Sequence, residues 1–343
     1  MTELSEKPPS GIKQVLNYNR GRHILKDMDY KPKTMQRGII HGLLTIAPDI
    51  VENYKILEDK ERLVATDALI KYQIGINDRI DFEGSNRPDL DDLTQITKQE
   101  EQDRHSAFQE AIQKLPENDR KLIEQQAETA LQEVEIVEEW IRKKRDTYPV
   151  SFQDMNHYRN TVNAISEVQV MSMMLGPDVL AARLPTATGK MEIQDIMDKY
   201  AWLSGRSSQN SIEQAMMIMH NIAMSSQVVD DWNDRKIDGL LNTPSFASAA
   251  FKMLDGDEEQ AGIYLKTVQQ NYQGRAQFLG LGKVPSSGIT QLFNVFAKAK
   301  SVRAEIAHQT RGRNYKYFSP KSRLFGFREE MYTQGKLDRK AEI

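Results

Sequence analysis

The segment Gln227-Val228-Val229-Asp230-Asp231-Trp232-Asn233-Asp234-Arg235-Lys236-Ile237-Asp238 concentrates acid at the end of a stretch that carries no charge from Gln214 to Val229. A helix turns about 100° per residue, so Asp230 and Asp234, spaced by four, lie on one face a turn apart, with Asp238 a further four residues on. Carboxylates stacked near a helix C-terminus repel one another and are disfavoured by the helix dipole. A hard divalent cation relieves both effects, and Mg²⁺ in particular is held by one or two carboxylates together with phosphate oxygens and water. The alternative is a solvated acidic helix end paired with Arg235 and Lys236. The nearly uncharged, Met-rich run before it favours the cation, because a helix apolar almost all round is buried and seldom ends in bare carboxylates.

A second cluster repeats this layout far upstream. Asp67-Ala68-Leu69-Ile70-Lys71-Tyr72-Gln73-Ile74-Gly75-Ile76-Asn77-Asp78-Arg79-Ile80-Asp81-Phe82-Glu83 is an apolar helical run with Asp78 and Asp81, three apart, at its end. Gly84-Ser85-Asn86-Arg87-Pro88 then stops the helix. An isolated DxxD pair is usually structural. Two clusters that each terminate a buried helix can present acid at the same end of a helical bundle, the layout of a multinuclear metal cage.

On these residues the chain resembles the class I isoprenoid synthases, which oppose two aspartate-rich motifs across the mouth of an apolar cavity. The resemblance covers roughly residues 65 to 250. Asp230-Asp231-Trp232-Asn233-Asp234 matches the DDxxD form of the second motif in trans-prenyltransferases, and Asn242-Thr243-Pro244 is similar to the family's lead into its next helix. Tyr72-Gln73 followed by Asp78 and Asp81 is similar to the first motif of the large-terpene synthases typified by tetraprenyl-beta-curcumene synthase, which also space second-motif acids by four. Tyr158 to Ile165 resembles the cavity-lining helix of squalene and phytoene synthases. The chain departs from chain-elongating enzymes in lacking a first DDxxD, the Arg-Arg-Gly after it and an N-terminal Gly-Gly-Lys segment. It also lacks the NSE pattern of ordinary microbial cyclases.

The resemblance implies an all-α, isoprenoid synthase type helical bundle around a central apolar cavity, and a Mg²⁺-dependent terpene synthase that ionises an allylic prenyl diphosphate. The alternatives are a prenyltransferase of the chain-elongating or head-to-head type and a non-catalytic prenyl-binding helical protein. Asp78, Asp81, Asp230 and Asp234 are the expected catalytic acids. With Asp231 and Asp238 they form the expected ligand set for a trinuclear Mg²⁺ centre that also accepts Mn²⁺. Expected diphosphate ligands are Arg235, Lys236, Arg159, Arg79 and, from the tail, Arg311 and Arg313, with Lys316 beside them. Tyr72, Gln73, Met174, Met216, His220 and Met224 are expected to line the cavity, where adaptable Met side chains suit a polyprenyl chain. His308 follows Glu305 in an ExxH spacing, but a di-iron site needs two such motifs and no second one is found.

The elements that must position these groups read as helices at about 33 to 47, 58 to 82, 89 to 113, 117 to 145, 152 to 175, 191 to 204, 210 to 236, 244 to 254, 258 to 279 and 286 to 308. Pro and Gly punctuate them at Leu115-Pro116, Tyr148-Pro149, Gly176-Pro177, Gly205 to Asn210 and Val284 to Gly288. None of these joins is long enough for an interdomain linker. The expected organisation is an N-terminal arm over 1 to 30, a single domain over 31 to 308, and a C-terminal tail or lid over 309 to 343.

Composition narrows the class. Across 343 residues, 46 basic and 49 acidic side chains leave a net charge of -3, so no global field selects nucleic acid. The absence of Cys excludes disulfides, zinc-cysteine sites and thiol catalysis, and fits a reducing cytoplasm. The polar start and the lack of any long apolar run lead to an expectation of a cytoplasmic protein without a transmembrane segment. Peripheral membrane contact and a homodimer are both compatible with that reading.

Overall fold

The computed structural model describes residues 11–28, 30, 34–85, 91–147, 150–183 and 191–282. The fold is all-α: eleven α-helices and no strand among the described residues. They are α1 (Gly11–Asp27), α2 (Thr34–Ile46), α3 (Pro48–Asn53), α4 (Lys60–Glu83), α5 (Asp91–Ile112), α6 (Glu117–Thr147), α7 (Phe152–Leu175), α8 (Ile193–Tyr200), α9 (Ser211–Leu241), α10 (Phe246–Met253) and α11 (Glu258–Phe278). The expected helix over 286 to 308, His308 and the tail lie outside the described residues.

Local chemistry sets the starts. The side chains of Asp59, Asn210 and Asp257 each accept a backbone N–H from the first turn of α4, α9 and α11. Ser151 pairs reciprocally with Asp154 at the start of α7, and Ser245 with Ser248 at the start of α10. Gly176, at φ 114°, and Asn242, at φ 53°, supply the left-handed residues that end α7 and α9. The expected helix over 191 to 204 divides into α8 and a 3₁₀ turn, Ala201–Ser204. Helix α9 runs five residues beyond the expected end, to Leu241, which keeps Asp238 helical.

Helix α7 is the central strut. It packs on α4, α6, α9 and α10, and every residue from Val168 to Leu175 is buried. A ladder of amides crosses it: Gln73 of α4 donates to Gln169 at 2.6 Å, Gln169 donates to the Gln126 carbonyl at 3.3 Å, and Gln126 donates to the Pro177 carbonyl at 3.0 Å. These bonds satisfy buried amides that would each cost about 1–3 kcal/mol if left unpaired. A cavity of about 10 Å³, room for one water, lies beside the ladder between Leu69, Ile123, Gln126, Ala127, Gln169 and Met173.

Within the region expected as an N-terminal arm, the described residues begin at Gly11. Residues Gly11–Asp27 are helical, pack on α2, and bury Gln14 and Leu25. Helix-period apolar residues are sparse there, and the pattern is carried by buried Gln14 and Gly21. Gln14 donates to the Gly280 carbonyl at 2.6 Å and accepts from the Gly282 N–H at 2.6 Å, pinning α1 to the end of α11. His41 of α2 bonds the Tyr18 carbonyl at 2.8 Å and lies against the Tyr18 ring.

Candidate functional site

Helices α4 and α9 deliver their C-terminal ends to one pole of the bundle. Thr243, two residues past α9, donates from its hydroxyl to the Asp81 carboxylate near the end of α4 at 3.4 Å. The Thr243 N–H in turn bonds the Asp238 carbonyl at 2.8 Å. The two acidic segments are therefore bridged by a single residue, although 162 positions separate Asp81 from Thr243. Helix α6 ends at the same pole: Arg142 bonds the Ile80 carbonyl at 3.1 Å and Arg145 bonds the Asn242 carbonyl at 2.5 Å. Both guanidiniums sit on carbonyls where a helix stops, Arg142 adding a second donor to the Ile80 carbonyl that already takes the Gly84 N–H, and this is also where the dipole favours cations.

Beneath this surface is a buried polar core that the sequence reading did not anticipate. Glu138 and Arg142, one turn apart on α6, pair at 3.5 Å, and Arg142 approaches Asp81 at 3.8 Å. Tyr158 donates its hydroxyl to Glu138. Arg159 pairs with Asp231 at 2.9 Å and also donates to the Pro244 carbonyl at 3.2 Å. Burial pushes the Glu138 carboxyl up from its ordinary range, Arg142 opposes that, and the neighbouring Asp81 adds to it. For Asp231 burial also raises the pKa against Arg159, the Phe246 N–H and Gln227. Burial alone would lower the Arg159 guanidinium, but the facing carboxylates hold it above its ordinary value. The Nη1 of Arg142 and the Nε of Arg159 are buried without a hydrogen-bond partner.

The six expected acidic ligands thus separate by environment. Asp231 has both oxygens engaged by protein: Oδ1 takes Arg159 and Gln227, and Oδ2 takes the Phe246 N–H at 2.6 Å. It anchors the start of α10 on α9, with three protein donors taking most of the about four lone-pair positions of its carboxylate. Asp230 and Asp234 are half-buried, and their spacing of four puts them on one side of α9. Asp78, Asp81 and Asp238 are buried. Arg104 stands 3.7 Å from Asp78. Like the Arg142 to Asp81 approach, this is longer than a hydrogen bond and acts by charge alone.

The expected diphosphate ligands also divide. Arg79 is held by three carboxylates, Glu101 at 2.5 Å, Glu83 at 2.8 Å and Glu135 at 2.9 Å, and ties α4 to α5 and α6. Arg159 is committed to Asp231. Arg235 lies over the Trp232 ring at 4.4 Å and reaches Glu258 at 2.6 Å, an exposed carboxylate. The side chain of Lys236, together with Arg311, Arg313 and Lys316, falls outside the described residues.

Each residue expected to line a cavity is packed or partnered. Tyr72 stacks on Phe108 at 5.8 Å, and Gln73 belongs to the amide ladder. Met174, Met216 and Met224 are buried in the core, with Asn163 donating to the Met224 sulfur at 3.2 Å. His220 is buried between Glu167, at 2.8 Å from Nδ1, and Asn160, at 3.0 Å from Nε2. Asn160 extends the chain to the Tyr272 hydroxyl at 2.9 Å, which donates to Asn156 at 2.5 Å. His220 is thus part of a hydrogen-bonded seam joining α7, α9 and α11.

Comparison with family models, curated proteins and solved structures returns no match, so the reading of this site rests on its own geometry. No helix among the described residues is long and apolar enough to cross a membrane.

Proposed function

We propose that the chain is a Mg²⁺-dependent class I isoprenoid synthase acting on an allylic prenyl diphosphate, in its leading form a terpene synthase, with a prenyltransferase of the chain-elongating or head-to-head type as the alternative. The observation that carries this reading is the Thr243 to Asp81 bridge, by which two aspartate-bearing helix ends converge on one pole above a buried arginine pair. The donor chemistry suits the metal: the acids are hard oxygen ligands, and Mg²⁺ takes few protein carboxylates and completes its shell with water and phosphate. Asp230 and Asp234 from α9, with Asp78 and Asp81 from α4, would hold it after drawing together, since among the described residues no three acidic or His side chains are grouped closely enough to bind an ion. Asp238 stands beside them, and Asp231 is mainly engaged in holding Arg159, Gln227 and the Phe246 N–H. Bound there, the ion supplies charge compensation for a departing diphosphate.

The chain's own residues contribute orientation and electrostatics. Arg142 and Arg159 hold positive charge fixed in a low-dielectric core below the carboxylates, each with one buried nitrogen, Nη1 and Nε respectively, that no hydrogen-bond acceptor meets. Such preorganised charge strengthens anion binding at no reorganisation cost. Arg235, on the exposed flank of α9, can exchange Glu258 for a phosphate oxygen, because that carboxylate is mostly solvated. Calorimetric titration of the protein with inorganic diphosphate tests the binding step. Uptake that requires Mg²⁺ and disappears in Asp230→Asn supports the reading, and uptake indifferent to Mg²⁺ contradicts it.

A second reading has its own support. Asp81, Asp231 and Glu138 all face arginines within the protein, which is the pattern of a purely structural polar core. In that case the chain is a non-catalytic helical protein that binds prenyl ligands, and the same titration shows no Mg²⁺-dependent diphosphate uptake.

A further inference from the structure

The pole opposite the carboxylates carries a different surface. Gln214, at the start of α9, donates to the Leu279 carbonyl at the end of α11, and Gln14 of α1 holds Gly280 and Gly282. Helix α1 therefore lies at the base of the bundle, about 24 Å of helical rise from Asp230 along α9. Gln36 of α2 donates to the Leu63 carbonyl near the start of α4, so the α1–α2 pair also meets the base of α4.

The outward side of α1 has a particular composition. Ile12 is 79% exposed and Leu16, one turn on, 63%. Lys13, Arg20, Arg22 and Lys26 are also exposed, and Asp27 is the one acidic residue of the helix, four bases against one acid in a protein whose net charge is -3. Phe278, 77% exposed, ends α11 two residues before the Gly280 carbonyl that Gln14 grips. Two aliphatic side chains standing exposed on one turn among bases, with an exposed Phe two residues from the carbonyl that Gln14 grips, are not explained by packing among the described residues, since the inner side of α1 is already buried on α2.

We propose that α1 is a peripheral membrane-docking helix that seats the base of the bundle on an anionic bilayer. Ile12, Leu16 and Phe278 enter the boundary between headgroups and acyl chains, while Lys13, Arg20, Arg22 and Lys26 meet the lipid phosphates. The charge pattern selects this occupant over a second copy of the chain, because two such faces brought together would oppose four bases with four bases. The docking places the carboxylate pole away from the bilayer. It does not depend on the metal reading, and its readout is vesicle binding rather than diphosphate release.

The test is co-sedimentation of the full chain with vesicles of phosphatidylcholine alone and of phosphatidylcholine mixed with phosphatidylserine, at low and high salt. Binding to the mixed vesicles, weakened by salt and absent with phosphatidylcholine alone, is the expected result. The paired substitution Lys13→Glu with Arg20→Glu is expected to lower the partition coefficient at least about tenfold. Ile12→Asp with Leu16→Asp is expected to reduce it by a similar factor at unchanged circular dichroism. Failure of the wild type to bind mixed vesicles overturns the proposal, as does binding that neither pair of substitutions alters. Self-association in solution that is abolished by Ile12→Asp with Leu16→Asp, without vesicle binding, would assign the face to a second copy instead.

Discussion

Replacing Arg159 by Met removes the cation that balances Asp231 in the polar core. The two side chains are 10% and 2% exposed and meet at 2.9 Å. At an effective dielectric of about 20 that separation corresponds to an attraction of about 6 kcal/mol, set against the cost of desolvating both charges. Breaking such a pair from one side leaves an uncompensated buried carboxylate and costs about 3–5 kcal/mol. Asp231→Leu strands the guanidinium and is expected to cost a similar amount. Combined, the two should cost less than their sum by about 2–3 kcal/mol, the coupling expected of a hydrogen-bonded pair in contact. Urea denaturation followed by circular dichroism on the wild type, both single variants and the double variant closes the cycle. The pH dependence adds a second readout. With Arg159 gone, the Asp231 pKa rises further, so the deficit of the Arg159→Met variant is largest at neutral pH and shrinks as pH falls through that raised value. Single effects that add within about 0.5 kcal/mol, or a deficit that is flat with pH, would refute an electrostatic pair at this position.

Other consequences follow from the same pole. A Cβ on Gly84 would stand 1.7 Å from the Arg142 Nη1, so Gly84→Ala must displace Arg142 from the Ile80 carbonyl. The φ of -75° at Gly84 is one that Ala adopts freely, so a loss of about 1–3 kcal/mol in denaturation, rather than a gain, identifies the displaced cap. Glu138 has a raised folded pKa, so its contribution to stability is complete below the ordinary carboxylate range and is lost as pH rises through the folded value. Glu138→Gln, which can still accept the Tyr158 hydroxyl, should flatten that part of the stability–pH curve measured by thermal unfolding. Burial lowers the His41 pKa against its bond to the Tyr18 carbonyl, so the stability it contributes is present above an imidazole value of about 6.5 and is lost as pH falls through the folded value. Hydrogen exchange in α1 should accelerate over that acidic interval, and His41→Phe should remove the pH dependence.

Much of the helical frame was legible because it is written in local chemistry. Capping residues such as Asn210, Ser245 and Asp257 stand just ahead of the apolar repeats they start, and Gly176-Pro177 stops α7. The convergence of α4 and α9 was legible in part, since both apolar helices end in acid. Because spacing describes one helix at a time, the internal bonds of Asp231 were not legible. Its orientation is decided by the reversal at Asn242, which carries the N-terminus of α10 back onto α9 and offers Asp231 the Phe246 N–H. The carboxylates around Arg79, an expected diphosphate ligand, were hidden for a similar reason, as Glu101 and Glu135 reach it from α5 and α6. Glu138 and Arg142 were hidden in the charged run of α6, where an i, i+4 pair looks like any solvated pair until Tyr158 and Asp81 close over it. Helix α1 escaped notice because its buried contacts are made by Gln14, Gly21 and Leu25 rather than by an apolar stripe.

The central claim, that carboxylates at the ends of α4 and α9 act together on a prenyl diphosphate, is tested most directly by product analysis. The purified chain is incubated with Mg²⁺ and geranyl, farnesyl or geranylgeranyl diphosphate, each with and without isopentenyl diphosphate, and both diphosphate release and hydrocarbon mass are recorded. The account predicts Mg²⁺-dependent release from at least one substrate, falling at least about a hundredfold in Asp78→Asn and again in Asp230→Asn, with circular dichroism unchanged. Absence of release from every substrate in the wild type, or release that survives both substitutions, would contradict it.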